Sequence, residues 1–446
     1  MAIESLTFTH LGPFDKAEFQ FDPQINVLVG PNNTGKTTAL LALAEAVITP
    51  FGFPTKLVRQ GSAIEISCHC SGDKPVVHHG PMPITANEKG HWNAARTGDL
   101  KATQEKLGFC AYIPAIRFNT NYRSRGPALS FDEANPQQML VRETLRGMVV
   151  EGEKKDYENP VSMLRDDRIV HEIINLDYRA YRENDPTIRE VVDRIASLAS
   201  QITEGFPIVF SGVAERDNGY YLEFKTPDGQ VPLNVLSQGT QSLIQWVGRL
   251  VVGYARHYNF EKDHAERPAV LIIDEIDAHL HPGWQRRILP ALSQAYPKLQ
   301  IFCSTHSPLM LAGLNAGQIH LLRRGSKGHI DISRNEADVH GWSADEILSH
   351  FLGIASATDL GTESDLQRLR ALRGKIKLTA KEMMDLEQLR TKVQTALQNG
   401  PLASLNEVLH AKPSGAKADL DSSKKAPSAH QPKPNRGRML VRGPRT

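Results

Sequence analysis

"FDPQINVLVGPNNTGKTTAL", residues 21–40, runs from an apolar strand into a glycine-bounded loop, then into a lysine, two threonines and a string of helix formers. Gly30 to Thr37 fits G-x-x-x-x-G-K-[ST], and the strand before it and helix after it supply the context that makes the string meaningful. In such a loop the backbone N–H groups of Asn32, Asn33, Thr34 and Gly35 converge, and the positive end of the following helix adds to them. The result is a concave anion site. Lys36 brings a cation to the outer phosphates. The hydroxyl of Thr37 is placed to ligate Mg²⁺, and Thr38 to bond a phosphate oxygen. The expected ligand is a nucleoside triphosphate with Mg²⁺.

A second element sits far downstream. In "AVLIIDEIDAHLHP", residues 269–282, a mostly β-branched apolar run delivers Asp274 to the end of a buried strand, where it would complete the Mg²⁺ shell through water. Glu275 follows and suits a general base that polarises the attacking water. Asp277 lies three residues beyond Asp274, on a turn that could meet a second subunit. "LSQGTQS", residues 236–242, offers a serine, a glycine and a helix start, another anion-binding end. "STHSP", residues 304–308, ends a strand with His306, which suits it to sensing a γ-phosphate.

These pieces, in this order, resemble an ABC-type ATPase of the SMC, RecF and OLD branch. The Walker A loop, the signature-like "LSQGTQ", the Walker B "LIIDEID", the D-loop "DAHLHP" and the switch "STHSP" cover residues 1 to about 325. The resemblance implies that two protomers sandwich two ATP molecules. Ser237 and Gly239 of one, with Gln241 beside them, would meet the γ-phosphate held by Gly30, Gly35 and Lys36 of the other. Two departures are visible. The Q-loop role is open between Gln60 in "LVRQG" and Arg117 in "YIPAIR". The signature carries Gln238 and Thr240 where transporters carry other residues, which fits the SMC-like branch better than transport. His279 and His281 form an H-x-H pair that matches "AHLHP" of the family and needs no metal.

The rest of the 446 residues fits around that head. Hydrophobic residues make up 40%, charged residues 23%, and the formal net charge is +2, so any charged partner must be met by a local patch rather than a global field. No apolar run approaches the roughly 18–20 residues that span a bilayer, and the N-terminus lacks a leader pattern. A cytoplasmic location without membrane contact is expected. Four cysteines are too few for a disulfide framework. Cys68-His69-Cys70 alternates like a strand, which would turn His69 away from both thiols, so a strand rather than a metal site is expected there.

The expected fold is α/β: a P-loop ATPase head with a mixed sheet. Residues 1–130 hold the first part of the head and a β lobe with a hairpin near 57–80, and 131–204 form a helical insertion. Residues 205–340 complete the head, 341–410 form a C-terminal helical region, and 411–446 form a disordered basic tail. In "PTIREVVDRIASLASQI" the apolar positions Ile188, Val191, Val192, Ile195, Leu198 and Ile202 keep helical spacing. Thr379 and Glu382 are spaced as a capping box for a helix to about 398, striped by Leu386, Leu389 and Val393. In the tail nine basic residues face only Asp419 and Asp421, and Met439, Leu440 and Val441 sit between arginines. That tip reads as a docking peptide, a nucleic-acid contact or a solvated end.

The insert of about 200 residues between Thr38 and Leu236 is too short for a long coiled-coil arm. After His306, about 140 residues remain, with no strand-borne acid cluster of the Toprim kind that OLD proteins append, so a nuclease would be another chain. "GWSADEILSHFLG", residues 341–353, is similar to ATPase subunits of Septu-type antiphage systems, which work beside an HNH nuclease. The leading expectation is an ATP-dependent dimer or higher oligomer that regulates such a nuclease. The alternatives are a RecF-like clamp that binds DNA directly and the ATPase subunit of a membrane transporter.

Overall fold

The computed structural model describes residues 2–48, 58–69, 77–86, 92–94, 106–115, 168–216, 219–325, 328–354, 359–375 and 378–398. The tail over 411–446, Arg117, Cys70, residues 131–167 and the side chain of Gln60 lie outside them. Contacts divide the chain into two units, residues 1–357 and 358–446.

The first unit is organised by a six-stranded sheet. It contains β3 (Ile25–Val29), β7 (Phe109–Ile113), β11 (Ala269–Ile273), β12 (Leu299–Ser304), β13 (Ile319–Arg324) and β14 (Ile330–Arg334), in the order β14-β13-β3-β12-β11-β7. All neighbours pair in parallel except β14, which returns antiparallel on β13, so the sheet is mixed as expected. Parallel pairing places the carboxyl ends of β3, β12, β11 and β7 on one edge, which is where such sheets bind ligands.

Both faces of this sheet are covered, which explains why its strands read as continuous apolar runs. Side chains alternate across a strand. Val27, Val29, Ala111, Ile113, Leu271, Ile273, Ile301 and Cys303 therefore enter one core, and Leu28, Cys110, Tyr112, Val270, Ile272 and Phe302 enter the other. The second core contains α1 (Lys36–Val47), whose residues from Thr38 to Val47 are all buried. Across from α1 lies the five-stranded sheet β2-β1-β4-β5-β6, built from β1 (Ala2–Leu11), β2 (Phe14–Gln20), β4 (Val58–His69), β5 (Val77–Ala86) and β6 (Trp92–Ala94). The β4–β5 pair is the hairpin anticipated near 57–80, and Cys68 and His69 lie on β4. One side chain stitches this lobe to the main sheet. Gln300 on β12 accepts from the Ile3 N–H (2.8 Å) and donates to the carbonyls of Ile3 and Asp22 (both 2.9 Å).

On the other face pack α2 (Arg168–Glu183), α3 (Pro186–Ile202), α4 (Gln238–His257) and α5 (Pro282–Ala295), with a small sheet of β8 (Val209–Arg216), β9 (Gly219–Thr226) and β10 (Gly229–Pro232). The six apolar positions read from the spacing of α3 are all buried. Asp185 caps that helix by accepting from the N–H groups of Thr187 and Ile188. The helical region expected over 341–410 divides between the units. α6 (Ala344–Phe351) sends Ile347 and Phe351 into the main core, while α7 (Leu360–Arg373) and α8 (Ala380–Gln398) belong to the second unit. Within that unit α7 and α8 pack together. Thr379 and Glu382 form the reciprocal bonds of a capping box, and Leu389 and Val393 are buried. No helix among the described residues is long and apolar enough to cross a membrane.

His320 on β13 is fully buried between Phe19 and Phe21, and its Nε2 lies 3.0 Å from Asn26 Oδ1. That oxygen also accepts the Asp22 N–H, so Nε2 carries the proton; Nδ1 is buried with no hydrogen-bond partner among the described residues. Desolvation, helped by the charge of Arg334, pushes the imidazole down to about 3. Between pH 6.5 and about 3 the unfolded chain holds a proton that the folded chain refuses, so this contribution is complete above 6.5 and is lost as pH falls. Urea titrations should show stability declining through that window, and His320→Gln should flatten the decline.

Candidate functional site

The loop after β3 is held from three sides. Gly30 lies so close to β13 that a Cβ there would collide with the Leu322 carbonyl. Gly35 has φ 91°, and a Cβ would strike the Phe14 ring and Pro13 in the β1–β2 turn below. Asn33 is left-handed at φ 63°, and its carbonyl accepts a 2.7 Å hydrogen bond from Arg324 Nη2. Thr34 donates to the Pro31 carbonyl at 2.9 Å, so its hydroxyl braces the loop from within, while Asn32 is exposed. Thr38 is buried, and its side chain packs against Gly12 at the β1–β2 turn.

Lys36 folds back over this loop. Its Nζ donates to the carbonyls of Gly30 (2.8 Å) and Pro31 (3.0 Å), so the ammonium is held inside the curve of the loop. Burial pulls its affinity for protons below the usual lysine value, and the charges of Asp274, Glu275 and Asp277 partly offset this.

Thr37 and Asp274 meet directly, with Thr37 Oγ1 donating to Asp274 Oδ2 at 2.7 Å. Asp274 is buried at the end of β11, where its N–H bonds the Ile113 carbonyl of β7 at 2.8 Å. Paired hydroxyl and carboxylate oxygens are the donor set a hard divalent cation takes, so these residues fit Mg²⁺. Ser304, at the end of β12, donates to Asp274 Oδ1 and accepts the Glu275 N–H at 2.8 Å. Glu275 is a non-glycine residue at φ 48° with an exposed side chain.

His306 follows on the same edge. Its imidazole is held below the usual histidine value, first by desolvation and next by the Lys36 charge, with Asp277, Glu275 and Asp274 acting in the opposite sense. It is at once exposed and within the field of the lysine and the three acids. Asp277 is partly buried, with Oδ1 lacking a hydrogen-bond partner among the described residues.

The signature segment is built separately. Ser237 caps α4, its hydroxyl accepting the Thr240 N–H (3.2 Å) and lying 2.8 Å from the Thr240 hydroxyl. Gly239 abuts the D-loop, where a Cβ would meet the His279 carbonyl at 2.5 Å. Gln241 is buried, and its Nε2 donates to the carbonyls of Asn234 (3.1 Å) and Leu236 (2.6 Å), so it holds the turn that carries Ser237. His279 is left-handed, and His281 caps α5 by accepting the Gly283 N–H at 3.2 Å. Both histidines thus have backbone uses.

Residues 1–60 match the model of an AAA domain family, and residues 150–312 match that of the AAA domain, putative AbiEii toxin, Type IV TA system family. Over these two stretches the chain is similar to AAA-domain ATPases. Among curated relatives, the chain is 22% identical over 371 residues to the Septu protein PtuA of Bacillus thuringiensis, covering 79% of the chain and 85% of that protein. It is 30% identical over 145 residues to the Septu protein PtuA of Bacillus mycoides (strain KBAB4), covering 32% of the chain and 20% of that relative. It is 40% identical over 91 residues to the Retron Vc95 probable ATPase of Vibrio cholerae serotype O1 biovar El Tor, covering 20% of the chain and 17% of that one. The chain thus spans about a fifth of the length of the second and third of these relatives and most of the first.

Two contributors to this ATPase site escape a motif reading. Arg324 braces the phosphate loop from β13, and the Pro13–Phe14 turn supports it from β1 and β2; neither lies in a recognisable string, and only the sheet order brings them there. Replacing Lys36 by Ala would remove the ammonium expected to bond the phosphates, and each charge-assisted hydrogen bond of that kind is worth about 1.5–3 kcal/mol. Isothermal titration should show ATP affinity falling by about 10- to 100-fold, with the fold retained.

Proposed function

We propose that this chain binds ATP with Mg²⁺ between two of its own copies, hydrolyses it, and through its nucleotide state controls a separate nuclease in antiphage defence. The observation that carries the chemistry is the joining of the phosphate loop to the strand-end acids through Thr37 and Asp274. Support for the biology comes from the Septu relative that matches most of both chains.

In this reading the backbone amides of the loop and Lys36 hold the β- and γ-phosphates. Thr37 and Asp274 hold Mg²⁺, which supplies charge neutralisation at the phosphate oxygens. Glu275 accepts a proton from the attacking water, and His306 bonds the γ-phosphate from the neighbouring strand end. A second copy supplies Ser237 and Gly239 at the start of its α4, whose N–H groups and dipole close over the same phosphate.

Glu275→Gln separates binding from chemistry. General-base removal lowers turnover by about 10²- to 10⁴-fold. The variant should retain ATP and, in light scattering, show a stable doubled mass with ATP that the wild type shows only transiently. Normal turnover would reject the base assignment, and a monomer at every nucleotide state would reject the sandwich. For the effector, co-expression with an HNH nuclease encoded beside this chain should yield a complex. Loss of that complex on deleting residues 411–446 would identify the basic tail as the dock, whereas unchanged association would exclude it.

A further inference from the structure

Nothing in the motif set gives Ser304 a task, yet its hydroxyl makes two hydrogen bonds, both to the segment that carries the acids. A serine hydroxyl has one proton to donate and lone pairs to accept with. The proton goes to Asp274 Oδ1, leaving the other carboxylate oxygen to Thr37. A lone pair takes the Glu275 N–H at 2.8 Å. The main-chain carbonyl of the same residue takes the Ile276 N–H at 3.0 Å. Three successive residues, 274 to 276, are thus tied to one fully buried residue on the adjoining strand.

That attachment coincides with an unusual backbone. Glu275 lies at φ 48°, a left-handed conformation that is unfavourable for a residue with a Cβ. Such conformations persist where surrounding bonds over-determine them. Here the Glu275 amide bonds the Ser304 hydroxyl and the Ile276 amide bonds the Ser304 carbonyl, so both peptide groups flanking the bend are fixed by one partner. The Glu275 side chain is exposed, and the bend sets the direction in which it leaves the backbone.

We propose that Ser304 is a positioning residue that sets the distance and angle between the Mg²⁺-binding Asp274 and the proton-accepting Glu275. The inference rests on the functional reading above, in which those two acids serve ATP hydrolysis. Ser304 touches neither nucleotide nor metal itself. Its hydroxyl fixes the orientation of one carboxylate and the backbone of the next, and so makes the two acids a single unit.

The test uses the full-length chain with Ser304→Ala and Ser304→Thr, the second keeping the hydroxyl, each checked for folding by far-UV circular dichroism. Loss of such an outer partner typically costs about 10- to 100-fold in activity or metal affinity. Ser304→Ala should lower kcat by that factor and raise the Mg²⁺ concentration needed for half-maximal rate, while leaving unchanged the affinity for a fluorescent ATP analogue in EDTA. Ser304→Thr should restore most of kcat. The proposal is overturned if Ser304→Ala keeps wild-type kcat and Mg²⁺ dependence, if it loses nucleotide affinity in EDTA, or if Ser304→Thr is as impaired as Ser304→Ala. Should the wild type fail to hydrolyse ATP, the ATPase reading falls. Mn²⁺ affinity of the ATP-loaded proteins, measured by electron paramagnetic resonance, then decides the Ser304 question: weaker binding in Ser304→Ala supports it and equal binding overturns it.

Discussion

The hydrogen bond from Thr37 to Asp274 joins residues 237 positions apart that follow β3 and β11, two strands that are not neighbours. It can form because β12 lies between them with all three strands parallel, so their carboxyl ends reach one edge together. The rest of the site is an elaboration of that coincidence. β3 contributes the phosphate loop, β11 the two acids, and β12 Ser304 and then His306. A register slip on any of these strands would exchange their faces and remove the bond, since side chains alternate with a period of two. The apolar content of both cores therefore fixes the chemistry as well as the fold.

The phosphate loop shows the same dependence at smaller scale. Its glycines are required by what surrounds them, the Leu322 carbonyl above one and the Phe14 ring beneath the other. α1 is buried along most of its length between two sheets, so the helix that supplies Lys36 and Thr37 is fixed against both. A rigid seat suits an anion site, because ordering the groups in advance reduces what binding must spend on them.

The parts of this arrangement legible in the sequence were those with a local signature. The strand–loop–helix around Lys36, the β-branched run into Asp274, the α3 stripe and the Thr379–Glu382 cap each depend on spacing within a few residues, and each has the expected local structure. What stayed hidden depends on pairing across the chain. That Ser304 would bond the carboxylate oxygen of Asp274 that Thr37 leaves over follows from the strand order, which no periodicity reveals. Gln241 illustrates the converse: its place in a motif suggested the nucleotide, whereas its buried amide serves the loop carbonyls at Asn234 and Leu236. The split of the helical region between α6 and α7 was also invisible, because helical spacing reports a buried stripe without saying what covers it.

Arg323 and Arg324, the last two residues of β13, point to opposite sides as strand neighbours must. One bonds the Asn33 carbonyl of the phosphate loop at 2.7 Å, and the other bonds the His350 carbonyl near the end of α6 at 2.7 Å. Two adjoining guanidinium groups at one strand end thus fasten the phosphate loop and a C-terminal helix of the same unit to a single edge of the sheet.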